Sequence, residues 1–137
     1  MRKVFIDTNI VLDHLGDRMP FAADAEVIFN EADAGKLELW ISALSITTIY
    51  YILRRVNGRT SALNAIRRFR TLVRIASVDA ACIDRALALN FSDLEDAVQY
   101  ESALDANIEV IITRDPGGYK RSSIPVMSPE AFLRTAP

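Results

Sequence analysis

The sequence predicts an α/β fold in which a central, mainly parallel sheet is covered by helices on both faces. Short apolar runs that suit strands alternate along the chain with segments whose apolar residues recur at helical spacing. The runs are too apolar for an exposed sheet edge, as expected for parallel strands buried on both faces. No repeat, low-complexity tract or Pro/Gly-rich linker divides the chain, so we expect a single domain over residues 1–137.

The first half of the chain is predicted to contain two strands and three helices. Ser42 stands where a side chain can cap the backbone N–H groups of a helix, and Gly35 stands where a helix can end. The predicted strands are residues 3–6 and 38–41, and the predicted helices are residues 22–34, 44–55 and 60–72.

The second half is predicted to contain three strands and three helices. Ser92 and Glu95 have the spacing of a capping box, which would open a helix that runs to about residue 106. Ser128 followed by Pro129 indicates the start of a final helix. The predicted strands are residues 74–78, 109–113 and 124–127, the first helix of this half is residues 80–89, and residues 116–118 are expected to form a loop.

Composition limits the possible classes of function. The net charge is −2, which argues against a nucleic-acid binder that works through overall positive charge. The apolar run that follows Arg2 and Lys3 is too short for a signal peptide or a membrane span, so we expect a cytoplasmic protein. Cys82 is the only cysteine, so it cannot form an internal disulfide, and we expect it in the core.

Basic residues concentrate in the middle of the chain, whereas acidic residues gather near the start and within residues 79–109. A basic segment beside an acidic pocket suits an enzyme that holds a polyanion, and an ordinary solvated helix face is the alternative. The arginines of this segment are Arg54, Arg55, Arg59, Arg67, Arg68, Arg70 and Arg74.

Four aspartates are candidates for a common site. Asp7 and Asp115 follow predicted strands, and ligands of open parallel sheets bind beyond the carboxyl ends of the strands. Asp93 and Asp96 are three residues apart in the first turn of a predicted helix and should share a face. Asp93 could instead complement the helix dipole, and Asp115 could be an ordinary turn residue.

Clustered carboxylates raise one another's pKa unless a cation compensates their charge. Mg²⁺ or Mn²⁺ prefers oxygen ligands and could stabilise charge on a phosphate bound beside it. The sequence shows no His/Cys spacing that suits zinc, and His14 is the only histidine. We therefore predict a magnesium or manganese site.

Three blocks of the sequence resemble the PIN-domain family. VFIDTN, which contains Asp7 and Asn9, looks like the family's opening strand and its Asp-Thr-Asn triplet. DLEDAVQY, from Asp93 to Tyr100, resembles the helix that bears the next acids, and IITRD resembles the closing Thr-Arg-Asn/Asp element. The carboxy-terminal strand and helix are also similar, so the resemblance covers nearly the whole chain and implies a three-layer sandwich.

Within this family, the chain is most similar to VapC-like bacterial ribonuclease toxins. The resemblance implies a Mg²⁺- or Mn²⁺-dependent endoribonuclease that cuts RNA, forms a homodimer and is inhibited by a small antitoxin. Asp7 and Asp96 would be the principal metal ligands, Asp115 a further acid and Asp93 an auxiliary one. Asn9 and Thr113 would orient the carboxylates, and Arg67, Arg68 and Arg70 are expected to guide the RNA phosphates.

Two positions depart from the family pattern. The acid that usually precedes the aromatic residue of the late loop is absent, because Gly117-Gly118-Tyr119 occupies that stretch, and the second departure affects the metal site. PIN domains usually carry a glutamate in the helix after the second strand, and by spacing Thr48 stands in its place, with Thr47 as the alternative. Asp93 could compensate for the missing charge, or the metal site could be weakened. A catalytically decayed PIN-fold module for RNA binding or regulation therefore remains an alternative. A phosphatase of the haloacid dehalogenase class is a second one, although Asn9 stands where that class has an aspartate.

The helix predicted at residues 44–55 has apolar residues on nearly all of its sides. This apolar surface is larger than packing against one face of a sheet requires. We therefore expect part of its surface, together with the basic helix after it, to be buried against a second copy or an antitoxin helix.

Overall fold

The computed structural model describes residues 1–135, within which five parallel strands form one sheet in the order β3-β2-β1-β4-β5. The sheet is therefore entirely parallel, whereas the sequence predicted a mainly parallel one. The strands are β1 (Arg2–Ile6), β2 (Leu37–Ser42), β3 (Val73–Ala76), β4 (Val110–Ile112) and β5 (Val126–Met127).

Helices cover both faces of this sheet, as the sequence predicted. No described helix is both long and apolar enough to cross a membrane. The helices are α1 (Thr8–Leu15), α2 (Ala22–Asp33), α3 (Ala43–Asn57), α4 (Arg59–Arg70), α5 (Ala80–Ala88), α6 (Leu94–Asp105) and α7 (Pro129–Leu133), and a 3₁₀ turn covers Pro116–Tyr119.

The core consists of apolar layers on the two sides of the sheet. Successive strand side chains point to opposite faces, and β1 shows this directly. Val4 and Ile6 pack with residues of α1, α2 and α3, whereas Phe5 packs on the other side with Tyr100 of α6 and with Ile111. The side chains of Val4, Phe5 and Ile6 are all fully buried, which explains why this part of β1 is a continuous apolar run.

Two short helical segments were not predicted. Helix α1 begins directly after Asp7, and Ile10, Val11 and Leu12 are buried in succession, so the apolar residues give no helical spacing. The segment after Asp115 was expected to be a loop, but it forms a 3₁₀ turn that starts with Pro116.

The start of α6 differs from the predicted capping box. Asp93, and not Ser92, is the N-cap residue, and its Oδ1 accepts a hydrogen bond from the backbone N–H of Asp96 at 2.9 Å. Aspartate is as good a cap as serine, so a sequence of two adjacent capping residues does not determine which one is used.

Candidate active site

The candidate site lies beyond the carboxyl ends of β1 and β4, where Asp7 is held rigidly. Asp7 is 7% exposed and is the N-cap residue of α1. Its Oδ2 accepts a hydrogen bond from Thr113 Oγ1 at 2.8 Å, and its Oδ1 accepts one from Gln99 Nε2 at 3.2 Å. These bonds compensate the burial of the carboxylate and fix its orientation.

Asp96 faces the same space from the first turn of α6. Burial raises its pKa from the ordinary 3.8 to about 7, and the nearby charges of Asp7, Asp93, Glu95 and Asp115 add to this shift. Burial and the neighbouring negative charges thus both disfavour the ionised form of Asp96, and a bound cation would stabilise it.

Tyr119 lies between these two carboxylates. Its phenol oxygen is 3.5 Å from Asp7 Oδ2 and 3.5 Å from Asp96 Oδ1, and its side chain is almost completely buried. Burial raises the pKa of the phenol, and the negative charges of Asp7 and Asp96 raise it further. The hydroxyl therefore stays protonated and can donate toward both acids. The two carboxylates therefore converge on a single group.

Asp115 approaches the site from the end of β4. Its side chain is exposed, and its backbone N–H donates to Thr113 Oγ1 at 3.1 Å. The backbone of Gly118 is close to both acids: a Cβ at this position would lie 2.7 Å from Asp96 Oδ2 and 3.6 Å from Asp115 Oδ2. Asp96 and Asp115 thus flank the same glycine.

A second cluster of polar side chains lies next to Asp7 and Asp96. Thr8 Oγ1 lies 2.8 Å from Ser45 Oγ of α3 and donates to Glu95 Oε1 at 3.1 Å. Thr8 and Ser45 are buried, and Glu95 is half-buried beside Asp96. An acid of α6 thus reaches the contact between α1 and α3.

The donor chemistry of the site fits Mg²⁺ or Mn²⁺. Among residues 1–135, no three Asp, Glu, His or Cys side chains converge closely enough to enclose an ion. Magnesium needs only one or two carboxylates, however, because it keeps several of its waters. Asp7 and Asp96 could supply these, and a bound ion would provide Lewis-acid stabilisation of negative charge on a phosphate.

The close approach of Gly118 leads to a test of this geometry. Because an added methyl would meet Asp96 Oδ2 at 2.7 Å, Gly118→Ala should turn the Asp96 carboxylate away. We expect Mn²⁺ affinity, measured by calorimetry, to fall by roughly 10- to 100-fold, as when a group that orients a metal ligand is lost. Gly117→Ala is the matched control, since its Cβ would lie 3.4 Å from Asp115 Oδ1, an ordinary contact. Equal affinities for the two variants would contradict this role of Gly118.

The other predicted site residues are less closely involved. The exposed Asp93 side chain caps α6, Asn9 is exposed, and Thr48 is half-buried on α3, one turn after Ser45. Gln99, Tyr119 and Glu95 had not been singled out for chemistry. Gln99 could have been found, because it lies three residues after Asp96 and therefore on the same side of α6.

The predicted phosphate-binding arginines lie elsewhere. Arg67, Arg68 and Arg70 occupy the last turn of α4, and Arg70 Nη1 donates to the backbone oxygen of Val73 at the start of β3. The amino ends of parallel strands are at the opposite edge of the sheet from Asp7. The structure therefore does not bring these arginines to the aspartates of the same chain, and Arg67 and Arg68 instead line a groove with His14.

Comparisons with known proteins agree with this architecture. The sequence profile of the PIN domain matches residues 3–116. The chain is 30% identical over 135 residues to ribonuclease VapC1 of Aquifex aeolicus (strain VF5), an alignment that covers 95% of this chain and 92% of that protein.

Solved structures with a similar fold include DNA-bound VapBC from Salmonella typhimurium, with a TM-score of 0.70, 14% identity and coverage of 94% of this chain and 99% of that one. A toxin–antitoxin complex from Klebsiella pneumoniae has a TM-score of 0.68 and 21% identity, with coverage of 92% and 97%. The sarcin-ricin-loop-cleaving toxin VapC20 of Mycobacterium tuberculosis has a TM-score of 0.64 and 19% identity, with coverage of 79% and 86%. At these identities the likeness shows a shared fold.

Proposed function

The chain belongs to the PIN-domain family, and from this premise we propose that it is a Mg²⁺- or Mn²⁺-dependent endoribonuclease, the toxin of a toxin–antitoxin pair. The convergence of Asp7 and Asp96 on Tyr119, with Asp115 beside Gly118, is the observation that carries the proposal. The relative from Aquifex aeolicus is named a ribonuclease, which supports RNA as the substrate.

In this proposal each side chain has a defined task. Asp7 and Asp96 hold the metal ion, and Thr113 and Gln99 keep the Asp7 oxygens oriented toward it. Asp115 is exposed at the end of β4 and would act as a further acid toward the ion or its bound water. Since Arg67, Arg68 and Arg70 lie at the opposite edge of the sheet, they have no assigned part in this chain's own site.

We extend the proposal to the partners of the chain. Several fold neighbours are toxin–antitoxin complexes, which supports a small antitoxin as one partner. On α3, Tyr51 is 59% exposed and Val56 is 75% exposed, and contact with another protein would remove their apolar surface from water. A homodimer in which α3 takes part remains our expectation.

A binding or regulatory module without catalysis is the second candidate. It is favoured by the absence of an acid throughout α3, where Ser45 and Thr48 supply only hydroxyl groups. Such a module would bind RNA without a requirement for divalent ions, so the two candidates differ in one measurable property.

The test is cleavage of an end-labelled RNA by wild type and by Asp7→Asn in Mg²⁺, Mn²⁺ or EDTA. We expect cleavage in either metal ion, none in EDTA and none by the folded variant, because asparagine removes the charge that holds the ion. Asp84→Asn removes a charge from the exposed surface of α5 and should cleave as wild type does. Cleavage that persists in EDTA or in Asp7→Asn would refute the proposal, and metal-independent binding without cleavage would favour the module.

A further inference from the structure

We propose that Glu95 supplies to the metal site the carboxylate that α3 lacks, an inference that rests on the proposed function. The juxtaposition of Glu95 with Thr8 and Ser45 carries it. Glu95 would act as a further acidic group toward the divalent ion held by Asp7 and Asp96, and so would take the place of an acid on α3.

The site-facing part of α3 offers hydroxyl groups only. Ser45 is fully buried against Thr8, and Thr48 follows one turn later on the same side of the helix. Helical side chains lean toward the amino terminus. A longer acidic side chain at position 48 would therefore extend along Ser45 toward Thr8, the residue that directly follows Asp7.

Glu95 reaches this same point from the opposite side. Its Oε1 accepts the hydroxyl of Thr8 at 3.1 Å, which draws the carboxylate away from solvent and toward the α1–α3 contact. Asp93 does not fill this role, because its side chain is exposed and its Oδ1 is bound to the Asp96 backbone.

No lysine or arginine within residues 1–135 forms an ion pair with Glu95. Its negative charge, next to that of Asp96, is therefore open to compensation by a bound cation. This arrangement is expected of a group whose partner is a metal ion.

An unpartnered buried acceptor beside Asp7 is an independent observation that fits a ligand at this site. Gln99 is fully buried, and its Nε2 donates to Asp7 Oδ1, while Oε1 of the same amide has no hydrogen-bond partner in the described part of the chain. Buried acceptors are normally satisfied. A hydrated cation held by Asp7 and Asp96 would bring water donors to this amide, and Glu95 would act on the ion through its bound water.

The test measures Mn²⁺ affinity of the full chain by calorimetry and by electron paramagnetic resonance. Glu95→Gln preserves the size of the side chain and an acceptor for Thr8, so we expect an unchanged fold. Affinity should fall by roughly 10-fold or more, because the ion loses a nearby negative charge. The matched control is Glu109→Gln, which removes an exposed charge and should leave the affinity unchanged.

A rescue variant separates the proposed role from a purely structural one. Adding Thr48→Glu to Glu95→Gln should restore most of the lost affinity, because it returns a carboxylate from α3. Wild-type affinity in Glu95→Gln, or a loss that Thr48→Glu does not reverse, would overturn the inference and leave the proposed function intact. Failure of wild type itself to bind Mn²⁺ and cleave RNA would instead refute the proposed function.

Discussion

Asp96→Asn is expected to abolish metal-dependent cleavage of RNA and to make the metal-free protein more stable near neutral pH. Cleavage should fall by more than roughly 100-fold, the upper end of what loss of a group that merely orients a ligand costs. Stability should rise because burial and four neighbouring acids hold the pKa of Asp96 at about 7, so its charged form is disfavoured in the folded state. Asparagine resembles the protonated acid and escapes this penalty.

The pH dependence of stability distinguishes this explanation from others. The pKa of Asp96 is raised from 3.8 to about 7, so between these values the folded protein binds a proton that the unfolded chain does not. The contribution of Asp96 to stability is therefore largest at low pH, declines as the pH rises toward 7 and is constant above it. Urea unfolding in EDTA at about pH 5 and about pH 8 should show this decline in wild type and a smaller one in Asp96→Asn.

A control separates charge relief from capping. Asp93 caps α6 through the backbone of Asp96, so Asp93→Ala should cost about 1 kcal/mol. Asp96→Asn leaves that cap in place. If the metal-free Asp96→Asn protein were less stable than wild type at about pH 8, Asp96 would be serving the fold rather than a metal site.

Asp13→Ala is expected to destabilise the fold by about 3 kcal/mol, the lower end for a broken buried ion pair. Asp13 is 1% exposed, and its Oδ2 lies 2.7 Å from Nε of Arg114 in an ion pair poorly aligned for a hydrogen bond. A better aligned bond joins Arg114 Nη2 to Oδ1 at 3.2 Å. Burial raises the pKa of Asp13, and Arg114 and then Arg18 offset part of this rise, so the arginines compensate only part of the burial of this acid.

We expect a loss of stability at the lower end for a buried ion pair because Arg114 is 29% exposed, so water can partly solvate it once Asp13 is removed. Urea unfolding checks the value, with Asp84→Ala as an exposed control expected to change stability by less than about 0.5 kcal/mol. The double variant Asp13→Ala/Arg114→Ala should lose less than the sum of the single losses, because each single change leaves the other partner unpaired. Strict additivity would show that the pair does not interact.

Local patterns were sufficient to predict the sheet and the edge of it at which Asp7 and Asp115 lie. The strands are apolar because both faces are buried, and Asp7 and Asp115 were expected together because parallel strands present their carboxyl ends at one edge. Helix α1 could not be predicted in the same way, because its buried residues are consecutive and show no helical spacing. In addition, Asp7 is both the end of the strand and the cap of the helix.

The remaining parts of the site depend on contacts between distant segments. Tyr119 contacts Asp7, which is 112 residues away in the sequence, and Glu95 contacts Thr8, which is 87 residues away. Neither contact can be predicted from the spacing of neighbouring residues. The location of Arg67, Arg68 and Arg70 could have been predicted from the sequence. Because α4 leads directly into β3, its last turn must lie at the amino edge of the sheet, away from the strand ends that carry the aspartates.

The hydroxyl of Thr113 has a consequence for how this site can evolve. One oxygen donates to Asp7 and accepts from the backbone of Asp115, so a single atom positions two acids that come from different strands. Drift at position 113 cannot alter one acid while sparing the other, and among the genetically encoded residues serine alone offers a comparable short hydroxyl. A lineage that lost this hydroxyl would loosen the Asp7 carboxylate and the backbone of Asp115 together, so a single substitution at position 113 acts on two strand ends.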